Sequence, residues 1–119
     1  MMIRTKRVYE AVSDTDGIRV LIDRIWPRGI AKESAKIDYW AKDLAPSNKL
    51  RVWYRHDHAK WPEFLRTYHA ELEECQPKFH ELLAAVDSKV VTLVYASRET
   101  KLNNATAFKL YLEEHFRGK

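Results

Sequence analysis

The chain has 119 residues, 45% of them hydrophobic and 32% charged, with a formal net charge of +4. That length suits one domain with a core of useful size, and the composition excludes a disordered chain. A single cysteine, Cys75, excludes an internal disulfide framework and any zinc site built on several thiolates, and no stretch approaches the roughly 20 apolar residues of a membrane span.

The first residues, Met-Met-Ile-Arg-Thr-Lys-Arg, carry charge where a signal peptide needs its apolar stretch, so a cytoplasmic location and no membrane partner are expected. Val8 and Tyr9, among polar neighbours, suggest a short strand within residues 4–11. Ser13-Asp14-Thr15-Asp16-Gly17 is turn chemistry. A cleaner strand follows over residues 18–25, where Val20, Leu21 and Ile22 are consecutive and apolar, as in a strand covered on both faces. Pro27 and Gly29 stop it.

Ile37, Trp40, Ala41 and Leu44 recur at helical spacing, which predicts a helix ended by Pro46. Ser47 can cap the next helix, which holds Leu50, Trp53 and Tyr54. A longer helix is marked by Trp61, Phe64, Leu65, Tyr68, Leu72 and Cys75 on one face, with Pro62 in its first turn. Pro77 interrupts it, and a further turn or two carries Phe79, Leu82, Leu83 and Val86. Residues 90–96, Val-Val-Thr-Leu-Val-Tyr-Ala, form a second buried-strand pattern. Asn103 or Asn104 can cap a final helix with Ala105, Phe108, Tyr111 and Leu112 inward. Apolar strands among helices predict an α/β fold: a small, mostly parallel sheet flanked by helices on both faces, in one domain spanning residues 1–119.

Ligands of open α/β sheets bind beyond the carboxyl ends of the strands. One such end is Asp23-Arg24-Ile25-Trp26-Pro27-Arg28-Gly29, which holds two guanidinium groups, a carboxylate and an indole at a tight turn. Arg24 and Arg28 suit phosphate or carboxylate oxygens, Gly29 permits close backbone approach, and Trp26 can stack on a ring or exclude water. Alternatively, Asp23 pairs with Arg24 or Arg28 and the loop merely caps the sheet. At the other strand end, Tyr95 and Ser97 lead to Asn103 at a helix start, where anion binding and plain capping compete. Ser97 lacks the Gly-x-Ser-x-Gly elbow of a nucleophile.

Farther along, His56 beside Asp57 can form an oriented acid–base pair, or Asp57 can simply cap the following helix. His56, Asp57 and His58 have no second ligand cluster at a recognised spacing, so no metal site is predicted. Cys75, near a helix end beside Glu73 and Glu74, is a poor nucleophile.

Taken together, Asp16-Gly17-Ile18-Arg19-Val20-Leu21-Ile22-Asp23-Arg24-Ile25-Trp26-Pro27-Arg28-Gly29, Trp40-Ala41-Lys42-Asp43-Leu44-Ala45-Pro46-Ser47 and Leu50-Arg51-Val52-Trp53-Tyr54-Arg55-His56-Asp57 resemble the signature of the YeaO-like family (domain of unknown function 488). The resemblance runs on through Trp61, Phe64, Tyr68, Glu71 and Leu72, and through Thr92-Leu93-Val94-Tyr95-Ala96 with Asn103 and Ala105. It implies a compact α/β fold and no established activity or cofactor. More distant members of the wider family carry a Cys-His-Arg run after the last strand. Asn103-Asn104-Ala105 stands in that stretch here, which does not support thiol chemistry.

Three functions compete. In the first, a small enzyme or ligand-binding domain takes an anionic, phosphorylated or carboxylated molecule at residues 23–29. Arg24 and Arg28 clamp the anion, Asp23 or His56 moves protons, and Trp26, Trp53 and Tyr95 line the pocket, with Gly29, Ser97 and Asn103 alongside. In the second, the chain is a regulatory or scaffold protein without chemistry. The third, a nucleic-acid-binding module, has against it interspersed acidic residues, a modest net charge and no recognisable motif.

Overall fold

The computed structural model describes residues 2–87 and 89–117. Strands β1 (Met2–Arg7), β2 (Ile18–Leu21), β3 (Tyr39–Trp40) and β4 (Val90–Tyr95) form an all-parallel sheet in the order β1-β4-β2-β3. Its two central strands are the two apolar runs. Val20, Leu21, Leu93 and Val94 have no exposed surface, as a strand covered on both faces requires. The edge strand β1 is half-exposed and carries Arg4, Lys6 and Arg7, charges that discourage pairing with another chain.

The helices are α1 (Lys32–Ala35), α2 (Asn48–Tyr54), α3 (Trp61–Glu73), α4 (Gln76–Val86) and α5 (Asn104–Arg117). On one face of the sheet Val20, Ile22, Val91, Leu93 and Tyr95 meet the apolar sides of α2, α3, α4 and α5 in the main core. The other face is more thinly covered. There Val8, Leu21 and Val94 pack against Trp40 of β3 and against Trp26, Ile30 and Ile37 from the segment between β2 and β3, which also contains the one-turn helix α1.

Residues 37–44 depart from the expected helix. The chain instead runs through β3 and a 3-10 turn at Lys42–Leu44. Helical spacing arises here because the apolar residues serve two cores. Ile37 and Trp40 pack on the thinly covered face, whereas Ala41 and Leu44 pack in the main core. Two boundaries also differ. Strand β2 ends at Leu21 rather than at residue 25, and Pro77 lies in the first turn of α4 rather than merely breaking a helix. The break itself falls at Cys75, whose φ of −114° and ψ of 33° leave the helical region.

A buried ionic cluster fixes the first turn to the sheet. Arg19, 2% exposed, donates from Nη1 to Asp16 at 2.7 Å and from Nε to the Ala35 carbonyl at 3.0 Å. Lys6 reaches the other Asp16 oxygen at 2.8 Å, and Thr92 donates to the Asp16 carbonyl. Burial alone would raise the Asp16 pKa. The hydrogen bonds from Lys6, the Ser13 backbone and Arg19 outweigh burial and hold it below the usual value. These contacts anchor the start of β2, and through it the loop beyond its carboxyl end.

Candidate functional site

Chain direction creates the site. After β2 the chain turns to the thinly covered face, and after its neighbour β4 it turns to the opposite face and enters α5. Such a divergence opens a crevice at the carboxyl ends of adjacent parallel strands. A cleft of about 450 Å³ lies there, within the range of about 300–1,000 Å³ for small-molecule sites.

Asp23 is one of its lining residues. One carboxylate oxygen accepts from the Ala96 backbone N–H at 2.8 Å and the other from the Asn104 side-chain amide at 2.8 Å. Asn104 is the first residue of α5 and also donates to the Ile22 carbonyl, so one amide ties β2 to the helix. Burial pushes the Asp23 carboxyl above its usual range, against the pull of Asn104, the Ala96 N–H and the Arg51 charge. Among the described residues Asp23 forms no ion pair with Arg24 or Arg28.

The arginines divide by role. Arg24 donates to the Ala45 carbonyl at 2.9 Å and the Pro46 carbonyl at 3.2 Å, which holds the entry to α2 against the loop. Arg28 is exposed, and its guanidinium has no partner among the described residues, whereas its carbonyl accepts from the Tyr9 hydroxyl at 2.9 Å. Arg51, one turn before the end of α2, is exposed and makes a single long contact to Asn48 at 3.3 Å. Two guanidinium groups therefore border the cleft with donor capacity to spare.

The apolar wall comes from both sides. Tyr54 is buried, stacks on Phe64 with ring centres 4.2 Å apart, and donates to the Leu102 carbonyl. Burial, with Glu99 and Asp57 adding to it, pushes its hydroxyl up to about 12. Trp26 bonds the Ile30 carbonyl at 2.7 Å and meets Trp40 edge to face at 5.3 Å, and Trp40 in turn donates to the Asp23 carbonyl. Tyr9, 47% exposed, also lines the cleft, with the Arg7 guanidinium 4.9 Å from its ring centre.

Residues 2–119 match the family model described as the inactive DUF488-N3 subclade. This chain belongs to that family. Among its relatives, the uncharacterised protein Rv3073c of Mycobacterium tuberculosis is 42% identical over 103 residues, covering 87% of this chain and 86% of that protein. The uncharacterised protein YeaO of Escherichia coli is 35% identical over 105 residues, covering 88% and 91%. No solved structure matches the chain.

In this DUF488-N3 domain the expected site residues fall into two groups. Asp23, Arg24, Trp26, Arg28, His56 and Ser97 line the cleft. The others lie off its wall. Gly29 turns the loop at a φ of 77°. Trp53 packs under Lys60 on another part of the surface. Tyr95 is buried in the main core. Asn103 caps α5, accepting from the Thr106 N–H and donating to the Glu99 carbonyl. Ser97 is similarly occupied, its hydroxyl donating to the Glu99 carbonyl.

His56 and Asp57 do not pair. The Asp57 side chain accepts from the Ala59 N–H, which is the capping role. His56 sits at a φ of 56°, directly after Arg55 at 46°, and faces the edge of Tyr54. Two consecutive non-glycine residues in the left-handed region store strain at the cleft margin. Among the described residues no group of three His, Cys, Asp or Glu side chains is placed to hold a metal ion, and no helix is long and apolar enough to cross a membrane.

Sequence reasoning did not assign Tyr9, Arg51, Tyr54 and Phe64 to this cleft. A signal existed for Tyr9. In an all-parallel sheet every strand ends at the same edge, so the residues just after β1 must approach those after β2 and β4. Arg51 and Tyr54 lie three apart on one helix and so share a side.

Proposed function

We propose that this protein is a cytoplasmic ligand-binding domain. It takes an anionic small molecule in the cleft between the ends of β2 and β4, and it performs no chemistry on that ligand. The observation that carries this reading is the pair of guanidinium groups with donors to spare, Arg28 without a partner among the described residues and Arg51 with one long contact to Asn48, beside a carboxylate whose two oxygens are both engaged by the protein. A guanidinium with free donors in a concave, partly apolar setting suits phosphate or carboxylate oxygens.

The groups a reaction would need are committed elsewhere. Ser97 and Tyr54 donate to backbone carbonyls, and among the described residues no carboxylate orients His56 as a general base. The description of the family model as inactive supports the same conclusion, as does Asn103-Asn104-Ala105 in the stretch where the wider family's Cys-His-Arg run is expected.

Calorimetric titration with inorganic phosphate, pyrophosphate and ribose 5-phosphate at low ionic strength tests the reading. At least one of these should bind, more weakly as salt rises, with affinity lost in Arg28→Ala and Arg51→Ala proteins that unfold at the wild-type temperature. Absence of binding by every anion, or binding unaffected by both substitutions, overturns it.

A further inference from the structure

The cleft is larger than a phosphate group alone requires, and its lining is divided. Arg28 and Arg51 supply the cationic part, whereas Tyr9 and Trp26 supply ring surface, with the buried, mutually stacked rings of Tyr54 and Phe64 behind them. We infer that its ligand is a nucleoside phosphate, with phosphate oxygens on Arg28 and Arg51 and the heteroaromatic ring against Tyr9 and Trp26. This inference rests on the anion-binding reading above and narrows the ligand class.

Three features carry it. The first is the position of Tyr9. This residue is 47% exposed, yet its hydroxyl is fixed to the Arg28 carbonyl and its ring lies under the Arg7 guanidinium. An exposed aromatic ring held at both its edge and its face is pre-organised for stacking, and ordering it costs a ligand little. It also adjoins the residue that would hold the phosphate, so ring and anion sites lie next to each other.

The second feature is Trp26. Its indole N–H is satisfied by the Ile30 carbonyl and its orientation is set by Trp40. With the Lys32 ammonium 5.9 Å from its ring centre, the indole lines the cleft as a π surface whose own N–H does not compete for a ligand's acceptors. Because every nucleobase has a π-face, such a platform selects rings as a class rather than one base.

The third is Asp23. Each of its oxygens accepts one hydrogen bond from the protein, and a carboxylate oxygen can accept two. The remaining acceptor capacity borders a cleft otherwise rich in donors. A ligand matching both must carry hydroxyl or amino donors a few bonds from its anion, as ribose hydroxyls and exocyclic amines do. A simple dicarboxylate or an alkyl phosphate has no such donors.

The same chemistry exists in free nucleotides and in single-stranded nucleic acid, so the experiment uses both. Adenosine 5′-monophosphate, uridine 5′-monophosphate, ribose 5-phosphate, adenosine and a five-nucleotide single-stranded RNA are titrated into wild-type protein and into Tyr9→Leu and Tyr9→Phe. Both mononucleotides should bind at least tenfold more tightly than ribose 5-phosphate and than adenosine. Tyr9→Leu should weaken nucleotide binding by about fivefold to a hundredfold, the loss expected for one base–aromatic stack, with ribose 5-phosphate binding unchanged. Tyr9→Phe, which keeps the ring, should retain most of the preference. Tighter binding of the RNA than of either mononucleotide supports the inference and assigns the polymer as the source. Equal or tighter binding of the mononucleotides supports it and assigns the free form. Ribose 5-phosphate binding as tightly as the nucleotides overturns this inference and leaves the anion-binding reading in place. Failure of every phosphate compound to bind overturns both.

Discussion

Asp23 and Asn104 meet across the gap between β2 and α5, the amide of one donating to the carboxylate of the other at 2.8 Å while also reaching the Ile22 carbonyl. The contact joins residues 81 positions apart and ties the end of one central strand to the helix on the opposite wall of the cleft. Asn104→Ala leaves a partly buried carboxylate and a backbone carbonyl each short of a donor, which should cost about 1–3 kcal/mol at neutral pH. The cost should vary with pH in a definite direction. Asp23 already has a raised pKa, and Asn104 is one of the groups holding it down, so the substitution raises it further. A carboxyl with a raised folded pKa contributes stability that is complete below its ordinary value near 3.8 and is lost as pH rises through the folded value. The variant loses more on that climb, and its deficit should grow as pH rises above the ordinary value. Urea denaturation of both proteins from pH 4 to pH 7 measures it, and a deficit that shrinks with rising pH contradicts the account.

Arg24 and Arg28 stand four residues apart in one loop and should behave in opposite ways. Arg24 holds the Ala45 and Pro46 carbonyls, so Arg24→Ala should destabilise the fold by about 1–3 kcal/mol. Arg28 has an exposed side chain without partners among the described residues, and Arg28→Ala should stay within about 0.5 kcal/mol of wild type. Thermal unfolding of the two variants side by side is sufficient, and equal losses would contradict this division.

The legible part of the fold was the part governed by burial alone. Val20-Leu21-Ile22 and residues 90–95 read as covered strands because both of their faces are covered, and α3 read correctly because its apolar residues all face one core. Residues 37–44 misled because Trp40 and Leu44 serve cores on opposite faces of the sheet, a relation that appears only once the sheet exists. The site was legible to the same extent. Residue types at the strand ends located the loop at 23–29, but nothing local distinguishes an arginine bound to two carbonyls from one left free. Nor does sequence spacing show that Tyr95, beside Ala96 at the end of β4, faces the main core rather than the cleft.

Glu99 offers a pH signature on the acid side. His58 at 2.8 Å, together with the backbone N–H groups of Leu102 and Lys101, pulls its carboxyl down to about 2 from an ordinary 4.5. A lowered carboxyl contributes stability that is present above pH 4.5 and lost as pH falls through the folded value. Glu99→Gln removes that contribution, so the stability gap between wild type and variant should be widest above pH 4.5 and close towards pH 2. Denaturation midpoints across that range test it. Because Glu99 also organises the turn before α5, a gap that stayed constant would mean that its role is steric rather than ionic.

Gly17 and Gly29 both have positive φ, 66° and 77°, and only one of them is also hemmed in. A Cβ on Gly17 would overlap the Val90 backbone carbonyl at the start of β4, and neither strand can retreat because Ile18 pairs with Val91. Backbone strain and collision act together there, so Gly17→Ala should cost about 3 kcal/mol or more. A Cβ on Gly29 meets nothing within 4 Å. Only the left-handed backbone opposes Gly29→Ala, partly offset by the lower entropy of the unfolded chain, and the loss should be about 1 kcal/mol. Equilibrium urea unfolding of the two alanine variants separates the contributions. Similar losses would show that the turn before β2 can move away from β4, which would also free Asp16 and Arg19 from their buried pairing and loosen the start of the strand that carries Asp23.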